Sequence, residues 1–166
     1  MPNWCMNKLE VTGPVPSLVR FRAKAKSTIV SDGKPKRVKF SLGAFLPMPK
    51  ELEGTRSPSP KPNPTLVRKY GADNWYDWRQ NHYGTKWDVD AQELLRFEKE
   101  KLGYTFDSAW SPPAEGIRRI SELYPDLTFT LEYDEPSMDF AGTAVFRGGE
   151  VIEDTQTKSQ LASEDE

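Results

Sequence analysis

Hydrophobic and polar residues alternate in several short runs along this chain. Residues 3–12 place Asn3, Cys5, Asn7, Leu9 and Val11 on one side, and Trp4, Met6, Lys8, Glu10 and Thr12 on the other. That is the period of a strand. Gly13-Pro14 ends it, and Leu18, Phe21, Ala25 and Ile29 then recur at helical spacing. Val38, Phe40, Leu42, Phe45 and Leu46 suit a short strand. Pro58, Pro60, Pro62 and Pro64 mark residues 53–64 as a loop. A helix is expected from about Asp73 to His82, capped by Asp73 or Asn74. Gly84 turns the chain into an expected strand over 86–91, while 92–101 fits either a helical turn or a hairpin excursion.

Residues 103–110 alternate cleanly. Ser111-Pro112-Pro113 then opens a helix with Ile117, Ile120 and Leu123 on its apolar face. Leu127, Phe129, Leu131 and Tyr133 begin the next strand. Residues 139–146, the Gly148-Gly149 turn and Val151-Ile152 make a final hairpin. This order predicts an α+β domain of the ferredoxin-like βαββαβ type. Its antiparallel sheet carries two helices on one face, an insertion before the second strand and an extra C-terminal β-hairpin. The domain is expected over 1–154, with 43–85 as a loop and aromatic-rich helical insertion. The polar residues 155–166 read as a disordered acidic tail.

Alternation also predicts the faces. Leu9, Val11, Trp87, Val89, Phe106, Trp110, Leu127, Phe129 and Leu131 fall beneath the helices. The opposite set is Lys8, Glu10, Lys86, Asp88, Asp90, Asp107, Thr128, Thr130, Glu132 and Asp134. Carboxylates dominate that set, so it repels phosphate and does not resemble an RNA-stacking sheet. It suits a basic partner, a divalent cation, or water alone.

Composition narrows the classes. A chain of 166 residues with net charge -2 and a pI near 5.6 has no global attraction to nucleic acid or anionic membrane. One cysteine and one histidine exclude an internal disulfide and a Cys- or His-rich metal site. No apolar run reaches membrane-spanning length. Asn3, Asn7 and Glu10 interrupt any leader early, so the expected compartment is the cytoplasm. No cofactor, metal or membrane partner is expected.

Three groups of residues carry candidate chemistry. Trp75, Tyr76, Trp78, Arg79, His82, Tyr83 and Lys86 are the kinds of residue that dominate protein interfaces, and they also suit a closed core. Arg20, Arg22, Lys24, Lys26, Lys34, Lys36, Arg37 and Lys39 face a single acid, Asp32. They read either as a solvated helix face with a basic loop or as a phosphate-binding patch. Pro2, once Met1 is removed, and Cys5 are the only handles for catalysis, and no His, Ser or Asp constellation accompanies them. No catalytic residue is assigned.

Four stretches together resemble a known group. They are Met1-Pro2-Asn3-Trp4-Cys5-Met6-Asn7, Gly84-Thr85-Lys86-Trp87-Asp88, Phe106-Asp107-Ser108-Ala109-Trp110-Ser111-Pro112-Pro113 and Tyr133-Asp134-Glu135. The chain is similar to the YubB-type ferredoxin-like family of phage and plasmid proteins, with Tyr83 where that family carries Trp. The resemblance implies an accessory protein of a mobile element in a bacterial host cell and no assigned active site. The expected function is non-enzymatic protein–protein binding, extending to inhibition of a host or defence protein. Nucleic-acid binding through residues 20–39 and a small enzyme using Pro2 or Cys5 are the alternatives.

Overall fold

The computed structural model describes residues 3–98 and 100–161. Its main sheet has six antiparallel strands: β1 (Trp4–Thr12), β4 (Gln92–Glu98), β5 (Lys101–Ala109), β6 (Thr128–Glu135), β7 (Phe140–Arg147) and β8 (Glu150–Thr157), in the order β4-β5-β1-β6-β7-β8. A separate two-stranded ribbon joins β2 (Ser27–Ser31) to β3 (Lys34–Val38). The described residues also form four α-helices: α1 (Val15–Ala25), α2 (Pro64–Tyr70), α3 (Trp75–Tyr83) and α4 (Ala114–Leu123). With β1 central between β5 and β6, the paired split β-α-β arrangement is the ferredoxin-like α+β fold.

One face of the sheet carries the core. α1 packs beside β4 and β5, and α4 lies over β6, β7 and β8. Leu9, Val11, Leu102, Tyr104, Phe129 and Leu131 point inward and are fully buried. Phe21 of α1 stacks on Phe45 at 4.8 Å and meets the edge of Phe129 at 5.5 Å. Such offset and edge contacts add to the burial of large rings, so a modest set of side chains fills the core. On the outer face, Lys8 is registered with Thr105 and Glu132, and Met6 with Asp107 and Asp134.

Several elements differ from the sequence expectation. The second core strand is β4, Gln92–Glu98, and residues 86–91 form an irregular connector. Asp88 accepts the N–H groups of Leu42, Gly43 and its own neighbour Val89, which ties the connector to a loop. Val89 and Ala91 are buried as expected, but Trp87 is 38% exposed. Asp88 therefore leaves the outer sheet face, whereas Asp90 stays beside it, lining a cavity with Met6, Thr105 and Asp107 and pairing with Lys36. Trp110 also leaves the inner set. It lies just past β5 with φ 71 and is exposed, because a left-handed residue breaks the alternation.

The first helix stops at Ala25. Ser27-Thr28-Ile29-Val30 carries a β-branched run, and Asp32-Gly33 turns back with φ values of 51 and 74, the left-handed pair that closes a tight hairpin. The basic segment is thus half helix and half ribbon. Residues 38–46 form no further strand: Val38 ends β3, and Leu42–Ala44 is a 3-10 turn capped by Ser41. The loop expected over 53–64 is followed by α2, with Asn63 as cap, Pro64 in the first turn and Gly71 ending it left-handed. At the other end, β8 runs to Thr157, past the start of the expected tail at 155. Backbone pairing with β7 holds this polar strand without a buried side chain. Asp134 accepts the N–H groups of Gln160 and Leu161, and Asp139 that of Ser159. Residues 162–166 of the expected tail lie outside the described residues.

Candidate partner-binding surface

The α3 helix divides the predicted aromatic group into core and surface. Asn74 caps it by accepting the Asp77 N–H at 2.9 Å, and Gly84 closes it with φ 82. Trp78 and Tyr83 lie on its inner side and are buried. His82 stacks on Trp78 at 4.2 Å, and its Nδ1 meets the Trp78 carbonyl at 2.9 Å. Tyr83 donates its hydroxyl to the Leu46 carbonyl at 2.7 Å. Burial raises the Tyr83 phenol above its usual range and lowers the His82 imidazole below its own. Trp78 and Tyr83 therefore hold the fold and are not available to a partner.

Trp75, Tyr76, Arg79 and Lys86 remain half-exposed. Trp75 meets the edge of Tyr76 at 5.7 Å, and the Arg79 guanidinium lies over Trp75 at 5.4 Å. Arg79 Nη1 reaches the Lys86 carbonyl at 3.5 Å, while its buried Nε has no partner. A cavity of about 470 Å³ opens here, with Arg79, Tyr83, Trp87, Asp88 and Met48 in its wall.

The connector carries this surface on to the end of the sheet. Thr85 donates to the Ala109 carbonyl at 2.9 Å, and Ser111 to the Gly84 carbonyl at 2.7 Å. These two bonds pin the connector to the end of β5. Trp87 is thereby placed against Trp4 of β1, with ring centres 6.1 Å apart, and the Lys86 ammonium sits 4.4 Å from the Trp87 ring centre. Trp4, Met6, Trp87 and Trp110 are 47%, 42%, 38% and 44% exposed. Sequence reasoning singled out the rings of α3 and missed these. The signal available for Trp4 and Met6 was their place opposite Cys5 in the alternation; for Trp87 and Trp110 the alternation pointed the wrong way.

The catalytic handles gain no support from the geometry. Cys5 is fully buried, and burial pushes its thiol up to about 12, far from a neutral-pH nucleophile. Pro2 lies outside the described residues. Asn7 donates to Ser108 Oγ at 2.8 Å and to the Cys5 carbonyl at 3.0 Å, a local network that satisfies buried polar groups. No group of three or more His, Cys, Asp or Glu residues among the described ones is placed to hold a metal ion. Among them, too, no helix is long and apolar enough to cross a membrane.

The basic residues are spread over two elements. Arg20, Arg22 and Lys24 are on α1, and Lys26 caps its end. Lys34, Lys36 and Arg37 are on β3, and Lys39 follows it. Arg22 is held by Glu93 at 2.6 Å and Lys36 by Asp90.

Residues 77–166 match the model of a family described as the ferredoxin-like domain in Api92-like protein. The crystal structure of a protein api92 from Yersinia pseudotuberculosis aligns with 96% of this chain and 99% of its own, with a TM-score of 0.60. Sequence identity is 14%, so that likeness is one of fold. No protein with a curated description matches.

Proposed function

We propose that this chain, which belongs to the family of ferredoxin-like domains in Api92-like proteins, is a non-enzymatic module that binds a protein partner through the tryptophans at one end of its sheet. The observation that carries this reading is the exposed Trp4–Trp87 pair, with Lys86 above Trp87 and Met6 and Trp110 also exposed. Large rings left in water are costly, and tryptophan beside a cation is the side-chain chemistry that dominates interfaces. Trp75, Tyr76 and Arg79 extend the same surface along α3.

In this reading the chain is an accessory protein of a phage or plasmid, acting in the cytoplasm of a bacterial host. Its partner is a host or defence protein that it inhibits. The resemblance of four stretches to the YubB-type group supports that setting. The test compares the wild-type chain with Trp87→Ala and Trp75→Ala in capture from a bacterial lysate, followed by reconstitution with the purified partner. Trp87→Ala is expected to weaken binding by about 2 kcal/mol or more, the scale of an interface anchor. A partner bound equally well by both variants, each still folded by circular dichroism, sinks the proposal.

A further inference from the structure

We infer that the β2–β3 ribbon and the end of α1 form a binding element for the phosphate backbone of duplex DNA. In the register of the ribbon, Thr28 faces Arg37 and Val30 faces Pro35, while Ser27 faces Val38. Alternation places Lys26, Thr28 and Val30 on the same side as Pro35, Arg37 and Lys39. The opposite side points to the body of the protein, since Val38 is buried and Lys36 is tied to Asp90. Arg37, Lys26 and Lys39 are therefore gathered on the outward side. Lys26 and Lys39 are each one step beyond the last paired residues, Ser27 and Val38.

A cleft of about 490 Å³ opens there, lined by Lys26, Ser27, Thr28, Arg37, Val38 and Lys39. It holds three cations and no carboxylate. Like charges brought together across a ribbon repel, and no carboxylate lines the cleft to relieve them. Among the described residues, Arg20, Lys24, Lys26, Lys34, Arg37 and Lys39 form no ion pair, and the only acid of the ribbon, Asp32, is at its turn. The carboxylates of the sheet lie elsewhere, so the net charge of -2 conceals a local excess of positive charge.

Shape selects among polyanions. The cleft has no aromatic ring on which an unstacked base could rest, which disfavours single strands. A two-stranded ribbon fits the major groove of B-form DNA, whereas the major groove of A-form RNA is too narrow for side chains. Val30, 78% exposed, and Pro35 sit toward the turn, where an apolar tip enters a groove first. The outward face offers no Asn or Gln to read adenine and one arginine, Arg37, able to read guanine, so backbone contact is the main expected mode.

The test is fluorescence anisotropy of the full chain with a short, labelled, mixed-sequence duplex, titrated between about 50 and 200 mM salt. Three phosphate contacts give a log–log salt slope near about -2.7. Arg37→Glu and the double variant Lys26→Gln/Lys39→Gln are expected to weaken binding about tenfold or more and to flatten the slope by about one unit per cation removed. Lys61→Glu, the same charge change on an exposed loop, is expected to leave binding unaltered. Absence of binding at the lowest salt overturns the inference. So does an equal loss in Lys61→Glu, or single-stranded DNA bound as tightly as duplex. Preference for phosphatidylserine vesicles through these same residues would reassign the element to a membrane surface. The tryptophan surface is read by other variants and another ligand, so failure here is distinguishable from failure there.

Discussion

Asp88 accepts the backbone N–H groups of Leu42 and Gly43 at 2.7 and 2.9 Å, joining two segments that no strand connects. Asp88 is half-buried, and that burial raises its pKa while the donors oppose the rise. This contact holds the connector in place and, through it, Trp87. Asp88→Ala would orphan both N–H groups, at a cost of about 2–4 kcal/mol in urea unfolding, with Asp88→Asn costing less. Wild-type stability in Asp88→Ala would show that the loop is held by other contacts.

The single histidine gives a direct reading of α3 packing. Burial lowers the His82 pKa below 6.5 in the folded chain. A lowered folded value means that its contribution to stability is present above the unfolded value and is lost as pH falls through the folded one. The imidazole proton shifts in NMR are expected to titrate below 6.5, with stability declining on the acid side of that point. A midpoint at or above the ordinary value would mean that the ring does not sit against Trp78.

Cys5 is expected to be inert in the native chain. With its pKa raised from 9.0 to about 12, thiolate at neutral pH falls on the order of a thousandfold relative to the unfolded thiol. The neutral thiol favours folding below pH 9, and that contribution is lost between 9 and about 12. Iodoacetamide labelling should proceed only on addition of urea. Rapid labelling of the native chain would restore the case for a reactive thiol.

Gly142 lies directly opposite Tyr133, whose ring takes the space a side chain would need. A methyl group placed there would stand 2.4 Å from both the Tyr133 hydroxyl oxygen and the Thr155 carbonyl oxygen. Gly142→Ala is expected to lower stability by about 1–3 kcal/mol in thermal unfolding, as overpacked sites do. An unchanged melting temperature would show that β8 can move aside.

Asp134 fastens the chain beyond β8 by accepting from the Ser159 hydroxyl and from the N–H groups of Gln160 and Leu161. Asp134→Ala should increase hydrogen exchange at 159–161 without altering the core. Equal exchange in both proteins would place the anchoring in β8 itself.

The fold was legible where a strand carries its own inside and outside. Leu9 and Val11, Tyr104 and Phe106, Phe129 and Leu131 alternate and are buried as alternation demands. It was illegible where side chains compete with the backbone ladder. Asp88 bonds to a loop, so the run 86–91 resembles a strand without being one, and Trp87 and Phe129 end up on different sides. The true strand, Gln92–Glu98, has register shifts along its pairing with β5, which blur the alternation. The ribbon was hidden because Arg20 to Lys26 is good helix and the Asp32-Gly33 turn signal lay just beyond it. Of the candidate surface, Trp75, Tyr76, Arg79 and Lys86 were legible by residue type. Trp4 and Trp87 meet only because Thr85 and Ser111 pin distant parts of the chain.

The central strand, β1, precedes both of its partners in the chain, so neither flank can pair until they are made. Its Thr12 waits for Lys101 on one flank and for Thr128 on the other. At about 5–20 residues added per second, that wait is several seconds or longer, during which Leu9 and Val11 have no sheet to join. Truncation before β5 should therefore yield an insoluble product rather than a smaller domain.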